Sequence, residues 1–275
     1  MIVSLILATV GRKEEVKIFF DSLVEQTYRA FEVIVVDQNE DNCLDELIEE
    51  YKNKFDIVHI KSKIKGISLN RNKGLFHAKG KIIAFPDDDC EYSKNTIELA
   101  VKYLYDKPKC IYSCRTLEKG KNYGTGVMYE NDSEINIDNV DKTIKSITFF
   151  VNIANDDILL FDTKLGVGAE FGSGEETDYV LELLHRGYSG YYFSKHIVYH
   201  PAKKGNYEDL DRAYKYAMGY GALCKKEIFQ RKELGYLVKF LYKVLRSIMG
   251  IIVTKNREYH FTVLKGRIKG FIKYD

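Results

Sequence analysis

Several features that mark particular classes of protein are missing from this chain of 275 residues. Its five cysteines form neither a Cys-x-x-Cys pair nor a Cys/His spacing typical of a zinc site. Their odd number indicates reduced thiols in a cytoplasm rather than a disulfide framework. No run of about 18 uncharged apolar residues occurs, so no membrane-spanning helix is expected. Internal repeats and low-complexity segments are also missing, which excludes solenoid and disordered classes.

The composition is that of a folded protein with a sizeable core. Hydrophobic residues make up 45% of the chain and charged residues 30%, which predicts one large domain, or one domain with a small appendage. The first residues, MIVSLILATVGR, are apolar but have no basic leader and no clear cleavage site. We therefore predict a first β-strand at this point rather than a signal peptide.

Charge is distributed unevenly along the chain, although the net charge is only +2. Residues 225–275 contain thirteen Lys and Arg but four Asp and Glu, whereas residues 1–224 contain 29 basic and 36 acidic residues. An acidic body with a basic C-terminal segment predicts an anionic partner for that segment. No recognisable nucleic-acid-binding motif accompanies the basic residues, so nucleic acid is not expected as the partner.

The first hundred residues alternate between short apolar runs and stretches with helical spacing of apolar residues. Strands are predicted at residues 2–8, 31–37, 56–61 and 81–86, and helices at 13–26, 45–54, 68–80 and 94–105. Gly80 is predicted to close the third helix. Alternating β and α units of this length predict a parallel, doubly wound sheet.

The pattern changes after residue 109. Short β-like runs follow (CIYSC, SITFFVNI and DILLF), and then a glycine-containing loop leads into a helix through Glu175, Glu176 and Asp178. Acidic side chains in a first helical turn stabilise the helix through its dipole. These three carboxylates are therefore either helix-stabilising charges or participants in chemistry.

Polar residues follow three of the predicted strands, at the edge where a doubly wound sheet binds its ligands. They are Thr9 to Arg12, Asp37 to Asn39, and the triplet Asp87, Asp88 and Asp89. Two carboxylates 4 Å apart repel by about 4 kcal/mol at an effective dielectric near 20. The triplet must therefore be solvated, protonated or neutralised, which leaves an Asp-rich turn or a divalent-cation site. The convergence of three polar groups on one edge favours the cation site.

Four segments together resemble the family 2 glycosyltransferases, which have the GT-A fold. They are VSLILATVGR, FEVIVVDQNED, GISLNRNKGLFHAKGKIIAFPDDD and GSGEETDYVLELLHRGYSGYYFSKHIVYHP, in the family's order over about residues 2–201. The resemblance implies an α/β fold with a Rossmann-like, mostly parallel sheet flanked by helices. It implies a catalytic domain at 1–205, divided into a nucleotide-sugar half (1–115) and an acceptor half (116–205). Residues 206–275 are then a basic, helical C-terminal extension.

The activity implied by the resemblance is sugar transfer, with inversion, from a nucleotide-diphosphate sugar to a hydroxyl of a saccharide or lipid-linked saccharide. UDP is the favoured nucleotide, and cell-surface polysaccharide synthesis the favoured setting. A Mg²⁺ or Mn²⁺ ion would neutralise the leaving diphosphate. Asp89 is its predicted direct ligand, with Asp87 nearer the ribose, Asp88 supporting, and His200 completing the shell. The alternative for His200 is a purely structural role.

The remaining donor-binding and catalytic roles are carried over in the same way. Asp37 is expected to accept a hydrogen bond from the N–H of a uracil-type base, with Asn39 in the same group. Thr9 and Arg12 would line the base and ribose. Arg71 would contact phosphate oxygens, and its alternative is a solvated helix charge. An inverting transfer needs one carboxylate base, for which the order of preference is Glu176, Asp178 and then Glu175.

The C-terminal segment LGYLVKFLYKVLRSIMGIIV, residues 234–253, is apolar but contains Lys239, Lys243 and Arg246. These cations are three or four residues apart and fall on one side of a helix, which is typical of a helix lying in a membrane interface. We therefore predict peripheral contact with the inner face of the cell membrane through residues 234–273. The alternative is a C-terminal helix packed on the catalytic domain.

Three other functions stay open at this point. A haloacid dehalogenase-like phosphotransferase also uses Asp-x-Asp after a strand, but on its first strand, whereas the triplet here follows the fourth. A nucleotidyltransferase would need a Gly-rich loop after strand one, and TVGRKE has a single Gly. A non-catalytic nucleotide-sugar-binding protein would not need Asp89 and Glu176 together, because binding alone requires no base.

Overall fold

The computed structural model of the protein describes residues 1–124, 126–153, 159–202 and 207–275. The chain divides into two compact units. The first contains residues 1–65, 69–161 and 179–202, and the second contains 66–68, 162–178 and 203–275. The second unit thus joins residues 162–178 to the C-terminal helices, whereas the sequence placed that segment with the residues before 205.

The helices and strands follow one another in the order expected of an α/β protein with a helical C-terminal part. In chain order they are β1 (Val3–Thr9), α1 (Lys13–Val24), β2 (Phe31–Asp37), α2 (Asp45–Tyr51), β3 (Asp56–Lys61), α3 (Ile67–Leu75), β4 (Ile82–Ala84), β5 (Glu91–Tyr92), α4 (Thr96–Leu104), β6 (Cys110–Leu117), β7 (Ser133–Glu134), α5 (Val140–Thr143), a 3₁₀ turn (Ser146–Thr148), β8 (Phe149–Asn152), α6 (Glu175–His185), β9 (Ser189–Tyr199), α7 (Leu210–Phe229), α8 (Gly235–Val253) and α9 (Arg257–Lys273).

The strands of the first unit form one sheet in the order β3-β2-β1-β4-β8-β6-β9-β5, with β7 paired to β9. Strands β3, β2, β1 and β4 are mutually parallel, as predicted. Strand β8 lies between β4 and β6 and is antiparallel to both, so the sheet beyond β4 is mixed. The register pairs Thr9 with Asp37, which sets the ends of β1 and β2 side by side.

Both faces of the central strands are buried. In β2 every residue is buried, and Val33 and Val35 belong to the core that includes Phe19 and Phe20 of α1. Continuous apolar strands are expected where helices cover both faces of a parallel sheet. The predicted α/β class, with a central sheet flanked by helices, is confirmed.

The third helix is shorter than predicted, because α3 ends at Leu75 and Gly80 does not cap it. Gly80 instead lies against the first strand, where its N–H donates to Ser4 Oγ at 2.8 Å. A Cβ atom at position 80 would lie only 2.6 Å from the carbonyl oxygen of Ile2. This glycine is therefore required by the close approach of two backbone segments rather than by a helix end.

The β-like runs after residue 109 have different outcomes. CIYSC lies within β6, and SITFFVNI forms the 3₁₀ turn followed by β8. Residues 157 and 158 of DILLF lie outside the described residues, and residues 159–161 are not in a strand.

In the second unit, α7 packs closely against α9. A Cβ atom at Gly270 of α9 would lie 2.0 Å from the carbonyl oxygen of Met218 in α7, so only glycine allows this contact. Phe240 of α8 stacks on Phe271 of α9 with ring centroids 4.4 Å apart. Within the described parts of the chain, none of the helices is both long and apolar enough to cross a membrane.

Candidate active site

The ends of β1 and β4 meet at one edge of the sheet, as the sequence predicted. The hydroxyl of Thr9 donates to Asp88 Oδ2 at 2.7 Å. The guanidinium of Arg12 reaches both Asp88, at 2.8 Å, and Asp89, at 2.6 Å. One cation thus offsets part of the repulsion within the aspartate triplet. The Asp-rich stretch is consequently tied into the strand ends and is not a freely solvated turn.

The end of β2 joins this edge through Asn39 rather than through a free Asp37. Asn39 accepts from the N–H of Gly11 at 2.7 Å and donates through Nδ2 to Asp37 Oδ1 at 2.8 Å. The other oxygen of Asp37 lies 3.0 Å from both His59 Nε2 and Lys61 Nζ. Asp37 is also fully buried. Its predicted role as the acceptor for a base N–H does not fit this geometry, because its oxygens hold the Asn39 turn.

The same contacts determine the charge state of Asp37. Burial alone would raise the pKa of this carboxyl, but hydrogen bonds from the Asn39 backbone, Lys61 and His59 outweigh burial and lower the pKa. Asp37 is therefore ionised at neutral pH and holds Asn39 through two hydrogen bonds.

Arg71 contacts Asp87 and is almost completely buried, with only 1% of the side chain exposed. Its guanidinium lies 2.9 Å from Asp87 Oδ1, donates to the hydroxyl of Ser146, and faces the rings of Phe85 and Phe161. The alternative of a solvated helix charge is therefore wrong. Arg71 holds Asp87 in place by a buried ion pair, and aromatic rings fix its plane.

His200 follows β9 and lies beside the triplet. Its Nε2 is 3.0 Å from Asp89 Oδ1, and its Nδ1 is 2.7 Å from the carbonyl oxygen of Pro201. Only 5% of the side chain is exposed. Ligand atoms of Asp87, Asp89 and His200 all lie within 4.8 Å of one another. Two carboxylate oxygens and one imidazole nitrogen form a donor set that suits a divalent cation such as Mn²⁺ or Mg²⁺.

The charges in the triplet are strongly coupled to their surroundings. Burial raises the pKa of Asp88 to about 6, although Thr9 and Arg12 oppose the increase. For Asp89, hydrogen bonds and charge interactions with His200 and Arg12 outweigh burial and lower the pKa. The pKa of His200 is raised because its interaction with Asp89 outweighs burial. Asp89 is thus ionised at neutral pH and already in contact with the Arg12 guanidinium and the His200 imidazole.

A cavity of about 290 Å³ adjoins Asp89 and His200. Its lining includes Glu91 and Lys119, which form an ion pair at 2.6 Å, together with Glu118. Sequence reasoning did not identify these three residues, because charged residues in a polar loop have no distinguishing pattern. Their position beside Asp89 makes them candidates for contacts with a polar substrate group.

A second acid–histidine cluster was also missed by the sequence analysis. Ligand atoms of Asp37, Asp45 and His59 lie within 4.8 Å of one another. Lys61 Nζ lies 3.0 Å from Asp37 and 3.4 Å from Asp45, so a protein ammonium already serves as the cation there. This cluster supports the fold at the end of β2.

In the second unit, the acidic residues of the GEETD segment differ in their surroundings. Glu175 is buried, whereas Glu176 is partly exposed. Among the described residues, the carboxylate of Glu176 has no hydrogen-bond or ion-pair partner. Asp178 is only 5% exposed and lies 2.9 Å from Lys226 Nζ and 3.0 Å from Arg231. Asp178 is thus held by two cations of the C-terminal helical part, which does not fit its predicted role as a proton acceptor.

Lys226 joins the two ends of the segment that contains these acids. Its Nζ lies 2.8 Å from Asp162 and 2.9 Å from Asp178. Asp162 also accepts a hydrogen bond from the hydroxyl of Tyr274, next to the C-terminal residue. None of these partners was predicted, because no local pattern relates residues so far apart in the chain. The segment that leads into Glu176 at the start of α6 is therefore held by Lys226 of α7 and by Tyr274.

Comparison with known proteins gives the family. The sequence model described as Glycosyl transferase family 2 matches residues 4–165, which is more than half of the chain. The chain belongs to this family of glycosyltransferases. The predicted family is thereby confirmed, and neither the haloacid dehalogenase nor the nucleotidyltransferase alternative is supported.

Curated relatives match only part of the chain. One of them, the putative teichuronic acid biosynthesis glycosyltransferase TuaG of Bacillus subtilis, is 23% identical over 114 residues, covering 41% of this chain and 45% of TuaG. The chain spans less than half the length of the curated relatives that it matches.

Two solved structures resemble the whole chain. The mannosyltransferase PcManGT from Pyrobaculum calidifontis, in complex with GDP-Man and Mn²⁺, has a TM-score of 0.66 at 14% identity, covering 98% of this chain and 86% of that one. TarS 1–349 of S. aureus, in complex with UDP, has a TM-score of 0.59 at 17% identity, covering 98% and 89%. At these identities the likeness shows a common GT-A-like fold.

Proposed function

We propose that the protein transfers a sugar, with inversion, from a nucleotide-diphosphate sugar to a hydroxyl of a saccharide or lipid-linked saccharide. The observation that supports this most is the cluster of Asp87, Asp89 and His200, whose ligand atoms lie within 4.8 Å of one another at the sheet edge of a family 2 chain. UDP is the preferred nucleotide and GDP the alternative, because TarS 1–349 was solved with UDP and PcManGT with GDP-Man. The names of relatives such as TuaG support a setting in cell-surface polysaccharide synthesis.

Asp87, Asp89 and His200 would hold a Mg²⁺ or Mn²⁺ ion. When bound, such an ion supplies a Lewis acid that neutralises charge on the leaving diphosphate. PcManGT was solved with Mn²⁺, which supports the choice of cation. Arg12 would keep Asp89 oriented, with Asp88 supporting it by its own hydrogen bonds to Arg12 and Thr9. Arg71 would keep Asp87 oriented.

The remaining donor-binding roles are assigned from the contacts. Thr9 and Arg12 would line the ribose and base, with Asp87 nearer the ribose. Asn39 replaces Asp37 as the group closest to the base, because Asp37 is fully buried. Arg71, which is buried against Asp87, would hold that carboxylate in place rather than contact phosphate directly.

Glu176 is the proposed catalytic base. Inversion requires one carboxylate that accepts the acceptor's proton as the new glycosidic bond forms on the face opposite the leaving group. Glu176 is partly exposed, and within the described residues its carboxylate has no partner, so it is free to accept that proton. Asp178 is proposed to anchor the segment through Lys226 and Arg231.

Donor binding tests the proposal directly. Thermal unfolding is followed with UDP-sugars and GDP-sugars, each with Mn²⁺, with Mg²⁺ or with a chelator. A donor at about 100 times its dissociation constant should stabilise the protein by about 2.7 kcal/mol, and only when the cation is present. Asp89→Ala should abolish the cation-dependent part of this stabilisation.

Asp45→Ala is the matched control, because it removes a carboxylate from the other acid–histidine cluster. It should leave cation-dependent donor binding intact. Cation-dependent binding that survives Asp89→Ala, or that is lost in Asp45→Ala instead, would contradict the assignment of the metal site.

A lipid-linked acceptor would place the reaction at a membrane surface. The basic residues of 234–273 support a location at the inner face of the cell membrane, where anionic lipids attract nearby cations.

A further inference from the structure

Helix α8 has two apolar faces, and the described residues of the chain bury only one of them. The inner face consists of Tyr236, Phe240, Ser247 and Gly250, all of which are buried. Phe240 stacks on Phe271 of α9, and Arg267 of α9 donates to the carbonyl oxygen of Lys243 at 2.8 Å. This face accounts for the stability of α8 within the second unit.

The other face is an exposed row of large aliphatic side chains, here named the outer stripe. It consists of Leu237, Leu241, Leu245, Ile248 and Ile252, which are between 39% and 62% exposed. Their spacing of four, four, three and four residues places them on one side of a helix. Val238, Tyr242 and Met249 widen this surface and are also exposed. Contiguous exposed apolar surface of this kind marks an interaction site in soluble proteins.

The charges around the outer stripe define the partner. From residue 234 to residue 256 the chain contains no Asp or Glu, but it contains Lys239, Lys243, Arg246 and Lys255. Lys239, Lys243 and Arg246 each come one residue after an exposed apolar residue, namely Val238, Tyr242 and Leu245. Adjacent residues are about 100° apart around a helix. They therefore form a basic row along one border of the apolar surface, in which Lys239 lies over the ring of Tyr236 and Lys243 over the ring of Tyr220. An apolar surface whose own helix contributes cations and no carboxylates is complementary to an anionic lipid surface.

We propose that α8 docks on an anionic membrane surface, with the outer stripe at the boundary between headgroups and acyl chains and the basic row among the lipid phosphates. The helix, about 28 Å long at 1.5 Å per residue, would lie parallel to the membrane. This docking deepens the proposed function by bringing the enzyme to a lipid-linked acceptor. Only that link to the acceptor rests on the proposed function, because membrane docking itself requires no sugar transfer.

The main competing occupant is a second copy of this chain. A dimer formed through the outer stripe would place two basic rows near each other without any acidic residue of 234–256 to offset them. Like charges across an interface are unfavourable. The charge pattern therefore favours lipid.

Vesicle flotation tests the proposal with the full-length protein and no donor or cation. The vesicles are phosphatidylcholine alone, or phosphatidylcholine and phosphatidylglycerol in equal parts. The protein should float with the anionic vesicles, and added salt should reduce binding. Leu241→Glu with Leu245→Glu should weaken binding by more than about tenfold, because each leucine loses its apolar burial. Lys239→Gln, Lys243→Gln and Arg246→Gln together should weaken it by roughly fivefold per cation.

The matched control is Ile64→Glu with Val127→Glu, which introduces the same charges at exposed apolar positions outside α8. It should bind vesicles like the unmodified protein, and circular dichroism checks that every variant is folded. Failure to float with anionic vesicles, or equal binding by all variants, would overturn the proposal. So would a dimer, seen by sedimentation velocity, that Leu241→Glu with Leu245→Glu converts to monomer without any vesicle binding.

Flotation and donor binding are separate measurements. If the protein floats but shows no cation-dependent donor binding, the docking proposal stands and the proposed function is contradicted. If it binds donor but does not float, the proposed function stands and the docking proposal is contradicted.

Discussion

His200 Nε2 lies 3.0 Å from Asp89 Oδ1, while Nδ1 of the same ring lies 2.7 Å from the carbonyl oxygen of Pro201. A carbonyl oxygen accepts hydrogen bonds only, so Nδ1 must have the proton. In a neutral imidazole, Nε2 then presents its lone pair to a carboxylate oxygen. Two lone pairs at this distance require a proton or a metal ion between them. A divalent cation could therefore replace the proton between His200 Nε2 and Asp89 Oδ1.

The first prediction concerns this pair. His200→Ala should weaken Mn²⁺ binding by at least about tenfold, because it removes the only nitrogen donor of the cluster. Titration calorimetry with Mn²⁺ in the presence of UDP measures the change. His77→Ala, at an exposed position, is the control. Unchanged Mn²⁺ affinity in His200→Ala would show that His200 is only structural.

The second prediction concerns the proposed base. Glu176→Gln should abolish sugar transfer yet leave donor affinity nearly unchanged, because the amide keeps the shape of the side chain but cannot accept a proton. The control is Glu182→Gln, six residues further along α6, which should retain activity. Turnover and donor affinity that fall together in Glu176→Gln would argue that Glu176 binds the donor instead.

The third prediction concerns Lys226. Lys226→Met should lower the free energy of unfolding by about 3–5 kcal/mol, because it leaves Asp162 and Asp178 buried without their common cation. Urea unfolding measures this loss, and Lys215→Met, at a surface ion pair, should cost much less. Adding Asp162→Asn to Lys226→Met should recover part of the stability, because Asp178 keeps its ion pair with Arg231 whereas Asp162 has lost the cation that Lys226 supplied. Strict additivity of the two changes would contradict the ion network.

The fourth prediction concerns the pH dependence of stability. The pKa of Asp37 is lowered in the folded protein, so its stabilising contribution is fully present above the unfolded pKa of about 3.9 and is lost as the pH falls through the lower folded value. Asp37→Asn should reduce stability at neutral pH, and its difference from the unmodified protein should shrink below about pH 4. Asp56→Asn, at an exposed position, should show no such convergence. A difference that stays constant with pH would contradict the lowered pKa.

The parallel half of the sheet could be predicted from the sequence because its signals are local. The runs at 31–37 and 56–61 coincide with β2 and β3, since short stretches rich in Val and Ile between polar turns favour strands. The end of α3 could not be located in this way, because Gly80 is required by its close contact with Ser4 and Ile2, which are distant in sequence. The insertion of β8 between β4 and β6 likewise depends on pairing that no local pattern shows.

The candidate site was predictable to a similar extent. The edge of the sheet and the aspartate triplet follow from where the strands end, and the contacts of Thr9 and Arg12 agree with that expectation. The burial of Arg71 and the ion pairs of Asp178 were not predictable, because each depends on partners brought together by tertiary packing. The local sequence around a charged helix residue is the same whether its side chain faces water or a buried counter-ion.

The bridge from Lys226 to Asp162 and Asp178 has a consequence for how this chain can change over evolution. A shortened version that stopped before α7 would keep every residue of 162–178, including the GEETD segment, and would lose the cation that contacts both ends of that stretch. Gene truncation or domain exchange at that point should therefore yield a protein with an intact sequence motif but an unanchored loop. The loop and the terminal helices must be inherited together.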